Sequence, residues 1–171
     1  DQWWAVPYFT RSDGAWFQRS VIEDAGIDIH SIRQFVDLWE TLLEVTAPDK
    51  ELSGWGVTIN ASNDGNWFRR RMMHGYGAYR QDETGNYVTF DTPEMVEAMT
   101  IMTDLYMNEK WASLLPPGIL AWTDTSNNEA YLAGKLIYTF NGGTVFGKAI
   151  LDNNPIKDNT GFHAPPGGPV N

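Results

Sequence analysis

Leu136-Ile137-Tyr138-Thr139-Phe140-Asn141-Gly142-Gly143 is the stretch on which the fold reading turns. Its first five residues are β-branched, aromatic or aliphatic, a strongly strand-like run. The Asn-Gly-Gly turn ends it, and Val145, Phe146, Ala149 and Ile150 then recur at helical spacing. Upstream, Asp124-Thr125-Ser126 can cap a helix over 127–133 that Gly134 stops. Downstream, Thr160 to Ala164 reads as a last strand, and Pro165-Pro166-Gly167-Gly168-Pro169 has linker composition.

The same alternation extends toward the start of the chain. Asp91-Thr92-Pro93-Glu94 announces a helix with a cap, a first-turn proline and a capping-box glutamate, and Met95, Ala98, Met102 and Leu105 form its apolar stripe. Trp67 to His74 reads as a helix capped by Asp64 or Asn66, preceded by a strand over 54–60. Ser31-Ile32-Arg33-Gln34 has capping-box form ahead of Phe35, Leu38, Trp39, Leu42 and Leu43, so Trp39 is expected in the core. Trp4 to Phe9 suits a strand and Arg11 to Gly14 a polar turn, with a short helix stopped by Gly26 beyond. Strands alternating with helices make the class α/β, a single unit over residues 1–171.

Composition narrows the function. A net charge of −10 argues against a nucleic-acid binder, which carries a clustered basic surface, and against docking on an anionic membrane surface. Zero cysteines exclude a disulfide framework and any thiolate chemistry. No nucleophile elbow, P-loop or H-E-x-x-H occurs, and His30, His74 and His163 lack metal-ligand spacing. Catalytic residues, metal ligands and cofactors are therefore all expected to be absent. The Arg69-Arg70-Arg71 run reads as a solvated helix face. Eight tryptophans in 171 residues are the unusual feature, since an indole is both core filler and a flat platform for an apolar ligand face.

Candidate binding residues sit on loops at strand ends and helix starts, where open α/β sheets hold ligands. One cluster offers Asn63, Asp64 and Trp67, a second Trp122 and Asp124, and a third Asn141, Gly142 and Gly143. Arg11 and Asp13 add charged groups from the first polar turn. Thr125 and Ser126 can cap their own helix, which leaves Asp124 for a ligand. Trp67 and Trp122 are expected on one shared concave face.

Taken in order, these segments resemble the family 1 extracellular solute-binding proteins, the maltose-binding-protein-like group. Trp4-Ala5-Val6-Pro7-Tyr8 is similar to the family's "G-V-P-Y" strand, and Val21 to Asp28 to its "lfeeAGid". Phe90 to Glu94 resembles "FdsPEa", Ala130 to Asn141 resembles "af..GkaaM...g", and Gly161 to Pro166 resembles "g..plP". Phe35-Val36 replaces the usual Thr-Trp, and Thr144-Val145 stands where many members carry a tryptophan, so this turn offers Asn141 and backbone amides instead. The resemblance implies a periplasmic-binding-protein-like (type II) lobe with a mixed sheet flanked by helices. It implies the second of two lobes, cut near both hinges and monomeric, with half of a carbohydrate site. The implied partners are a sugar ligand and the membrane permease of an ABC importer, in the periplasm or outside the cell, with lipid anchoring through an absent N-terminus left open. A polyamine receptor of the same fold and a carbohydrate-active enzyme domain are the alternatives.

Overall fold

The computed structural model describes residues 13–170. Strand Leu136–Gly142 (β3) lies at the centre, and all of its residues are buried. Strand Asp13–Gln18 (β1) pairs antiparallel with it, setting Ala15 opposite Phe140 and Phe17 opposite Tyr138. The short strand Ser53–Trp55 (β2) flanks β3 in parallel, and Thr160–His163 (β4) pairs antiparallel with β1. The order β2-β3-β1-β4 makes a mixed sheet in which only β1 runs against the others.

Helices cover both faces. Ala15, Phe17, Tyr138 and Phe140 pack into the main core with residues of Phe35–Val45 (α2), Asn63–Gly75 (α3) and Pro93–Met107 (α4). Tyr131 from Ser126–Leu132 (α5) and Val145 and Ala149 from Thr144–Leu151 (α6) form a second cluster with Leu136 and Ile156. Arg19–Asp24 (here α1, first in chain order) adds Ile22 to the main core. Trp39 is 1 % exposed, as its place on the apolar stripe requires. A fully buried side chain of this kind contributes roughly 1.5–3 kcal/mol.

Several local expectations need correction. Asp13-Gly14 is the start of β1, not a turn. Gly14 permits this because the Phe162 ring lies against its backbone, where an added Cβ would come within 2.3 Å. Ser31 ends a 3₁₀ turn and its hydroxyl donates to the Asp28 carbonyl, so no capping box forms, and Gln34 precedes α2 without a side-chain cap. Thr92 caps α4 by accepting the Met95 amide, which moves Glu94 one place short of the capping-box position. Helix α3 starts at Asn63, four residues before the tryptophan expected to open it. The strand expected over 54–60 is regular only through Trp55, although the Gly56 amide still donates to the Tyr138 carbonyl of β3. Trp4 to Phe9 and Arg11 lie outside the described residues.

Candidate functional site

The end of β3 delivers Asn141 to the place where α3, α5 and α6 all begin. Asp64, in the first turn of α3, is only 8 % exposed. Burying a carboxylate is costly unless its oxygens are bonded, and here Oδ2 accepts the Asn127 amide at 2.8 Å and the Asn141 amide at 3.1 Å. The Asn141 Nδ2 also donates to Asn128 Oδ1, and the Thr144 hydroxyl donates to Asn141 Oδ1 at 3.4 Å. One network of side chains thus ties three helix starts to one strand end. Because a carboxylate can only accept, Asp64 also fixes which way the Asn127 and Asn141 amides face.

Asp124 has a different place from the one expected. Its carboxylate accepts the backbone amides of Asn63 and Asp64, at 3.1 and 3.0 Å, and Ser62 Oγ accepts the Gly65 amide at 3.2 Å. The first three amides of α3 are therefore met by side chains, and an acidic group sits where the helix dipole favours it. Asp124 caps α3 across the fold. At α5, Thr125 makes no side-chain cap bond, while Ser126 Oγ accepts the Thr123 amide. The two loops are laced further, because the Trp122 carbonyl accepts from Thr58 Oγ1 at 3.0 Å and from the Asn60 amide, and Arg69 donates to the Ile59 and Asn60 carbonyls.

Helix α6 starts differently. Gly143 caps it without a side-chain bond, and both Gly143 and Thr144 are exposed. Beside it stands an aromatic group that sequence reading did not single out. Trp16 donates from Nε1 to the Asn141 and Gly142 carbonyls at 3.2 and 3.1 Å. Its ring stacks on Phe146 at 5.3 Å and meets Phe162 edge-on at 5.0 Å. The signal was available in Trp16 itself, but it required recognising residues 13–18 as a strand beside β3.

Of the residues singled out from sequence, the structure brings Asn63, Asp64, Asp124, Asn141, Gly142 and Gly143 together at this end of the sheet. The backbone of Asp13 joins them opposite Gly142 in the ladder. Trp67 is half-buried on the first turns of α3, with its ring 6.2 Å from Phe140. Trp122 gives its carbonyl to the network, but the residue also lines a cavity of about 470 Å³ with Pro48, Ser53, Pro116 and Lys135. That cavity lies by the starting ends of β2 and β3, away from Asn141. Trp67 and Trp122 are both partly buried against the main core.

Chemically, the cluster is built of neutral amides, hydroxyls and backbone amides, with the Asp64 and Asp124 carboxylates bonded inside it. Among the described residues, no group of three or more His, Asp or Glu side chains gathers as a metal site would require.

Residues 1–171 match the family described as bacterial extracellular solute-binding protein. The chain belongs to that family. Over 117 residues this solute-binding chain is 26% identical to an arabinooligosaccharide-binding protein of Halalkalibacterium halodurans, a stretch covering 68% of the chain and 25% of that relative. Among solved structures it superposes on maltose-bound MalE3 of T. maritima with a TM-score of 0.83 at 23% identity, covering 97% of this chain and 41% of the other. The GacH receptor of Streptomyces glaucescens, studied unliganded and with acarbose, matches with a TM-score of 0.68 at 20% identity, covering 92% and 38%. These structures share the type II binding-protein fold with the mixed α/β sheet described above. The chain spans less than half the length of each of these relatives.

Proposed function

We propose that this chain forms one wall of a carbohydrate cleft, as the second lobe of a receptor that delivers a sugar or oligosaccharide to an ABC-type importer. The observation that carries this reading is the exposed start of α6, whose Gly143 makes no side-chain cap bond, held at the strand end by the buried Asp64–Asn127–Asn141 network. A sugar is an uncharged polyol, and it is held by donors and acceptors fixed before it arrives. Asn63, Trp67 and Gly143 are the residues we assign to ligand contact, while Asp64, Asp124, Asn141 and Gly142 hold them in place. The relatives named for arabinooligosaccharide and maltose support the carbohydrate class.

The same geometry weighs against the alternatives. A polyamine needs carboxylates turned toward it, and a glycosidase needs two carboxyl groups facing each other across the substrate. Here Asp64 is bonded by asparagine amides and Asp124 by backbone amides. The proposed setting is the periplasm or the cell exterior, with the companion lobe closing over the sugar and the closed form meeting the permease.

Calorimetry on the intact receptor against maltose, arabino-oligosaccharides, mannitol and spermidine tests the reading. The expected result is saturable heat with a carbohydrate, weakened about tenfold or more by Asn141→Ala (~1.4 kcal/mol), and none with spermidine. The isolated chain should bind the same sugar far more weakly, because one wall supplies part of the contacts while the entropy of capture is lost in full. Heat with spermidine alone, or micromolar sugar binding by the isolated chain, would overturn the proposal.

A further inference from the structure

The positive charge of this acidic chain is segregated. Lys110, Lys135, Lys148 and Lys157 each have a carboxylate within 3.2 Å, and Arg19 has Glu23 at 4.0 Å. By contrast, four arginines, Arg69, Arg70, Arg71 and Arg80, have no carboxylate within 4.0 Å among the described residues, nor has the separate Lys50, in a chain with a net charge of −10. Arg69 serves the loop before α3, as described above. The other three gather elsewhere, around the last turn of α3.

A cavity of about 480 Å³ opens there, lined by Arg33, Arg71, His74, Tyr79, Gly75 and Gly167. Arg71 is held in place by donating to the Pro165 and Pro166 carbonyls at 2.8 and 3.1 Å. The His74 ring packs on Tyr79 at 5.4 Å. Arg70, one helical turn before His74, and Arg80, next to Tyr79, are both exposed and make no side-chain hydrogen bond or ion pair among the described residues. The electrostatic character of the face registers at His74, whose pKa is lowered by partial burial and then by Arg70, Arg80 and Arg71. The neighbouring acids are Asp37 and Glu97, which with burial raise the pKa of the Tyr76 hydroxyl, and neither lies within ion-pair distance of an arginine.

We propose that this face docks an acidic segment of a protein partner, with a carboxylate entering the cavity beside Arg71 and further carboxylates meeting Arg70 and Arg80. Guanidinium forks match carboxylates in a bidentate way and are the preferred side chains for such pairs. The three arginines come from two separate stretches of chain, a spread that suits several carboxylates along a segment better than one small anion. With a net charge of −10 over the chain, this cluster of arginines favours an acidic partner and sets its orientation. A broad anionic lipid surface would meet the negative body as well as the patch, which disfavours membrane docking. This inference stands independently of the sugar reading.

Fluorescence anisotropy of a labelled oligoglutamate peptide at low ionic strength tests it on the intact protein. Wild type should bind saturably and lose the peptide as salt rises. The double variant Arg70→Gln, Arg80→Gln should bind about tenfold or more weakly, while Arg19→Gln, Lys148→Gln, which removes equal charge elsewhere, should bind as wild type does. Neither pair touches the cluster at the end of β3, and circular dichroism verifies that both variants fold. Equal losses in the two variants, or no saturable binding by wild type, would overturn the proposal. Displacement by inorganic phosphate at concentrations where chloride is silent, or tighter binding to phosphatidylglycerol vesicles than to the peptide, would also overturn it.

Discussion

Asp124 accepts the backbone amide of Asp64 at 3.0 Å across 60 residues of sequence, and its second oxygen takes the amide of Asn63 at 3.1 Å. A helix normally receives its N-terminal cap from the residue just before it. Here Ser62 answers only one amide of α3, and the loop ahead of α5 supplies the rest. The cap is therefore also a tertiary clamp between two loops of the proposed sugar site.

Replacing Asp124 tests that clamp. Asp124→Asn keeps one acceptor and sets an NH₂ against an amide donor, so it should cost about 1 kcal/mol, and Asp124→Ala about 2. For a domain of this size each kcal/mol moves Tm by roughly 2–4 °C. Thermal melts should rank wild type above Asp124→Asn above Asp124→Ala. A group that only touched ligand would leave the melting temperature of the sugar-free protein unchanged.

The fold was legible in the sequence wherever one residue pattern decided one element. The run Leu136 to Phe140 gave a buried strand, and Thr92-Pro93 gave the start of α4. Legibility failed where a distant segment decided the outcome. Nothing near Asp13 and Gly14 announces β1, because its extended form is fixed by pairing with Gly142 and Asn141 and by the Phe162 ring over Gly14. Helix α3 starts early because Asp124 caps it. The polar residues of the candidate site could be gathered from sequence, but their division of labour could not. Whether an aspartate faces outward or anchors a network depends on contacts such as Asn127 and Asn141 to Asp64, made over 63 and 77 residues.

The tryptophans of the core offer a matched comparison. Trp39 and Trp55 are 1 % and 0 % exposed and their rings meet at 5.8 Å. Among the described residues the Trp39 Nε1 has no hydrogen-bond partner, whereas Trp55 Nε1 donates to the Tyr106 hydroxyl at 3.2 Å, which itself donates to the Val57 carbonyl at 2.6 Å. Substitution by phenylalanine removes similar volume at both positions, so the cavity costs largely cancel in the comparison. Trp55→Phe should therefore be more destabilising than Trp39→Phe by about 1–2 kcal/mol, the cost of the broken bond. Urea denaturation with unchanged m-values reads the difference directly, and equal midpoints for the two variants would refute it.

The last prediction concerns acid stability. His163 at the end of β4 is 3 % exposed, and its Nδ1 lies 3.1 Å from the hydroxyl of Tyr138, which is fully buried. Burial, then the His30 ring 5.4 Å away and Arg33, lower its pKa from 6.5 to about 4. In the Nε2–H tautomer the neutral ring accepts a hydrogen bond from the Tyr138 hydroxyl at Nδ1, and protonation there removes that acceptor. Because the folded-state pKa is depressed, the unfolded chain binds this proton first as pH falls. The stability gained from keeping His163 neutral is thus complete above about pH 6.5 and is lost progressively down to about pH 4. The slope in that window is at most about 1.4 kcal/mol per pH unit. His163→Gln retains an acceptor for Tyr138 and carries no titrating ring. Melting temperatures of wild type and variant should run parallel above pH 6.5, and below it wild type should fall more steeply until about pH 4. Parallel curves between pH 6 and pH 5 would assign the acid sensitivity to other groups.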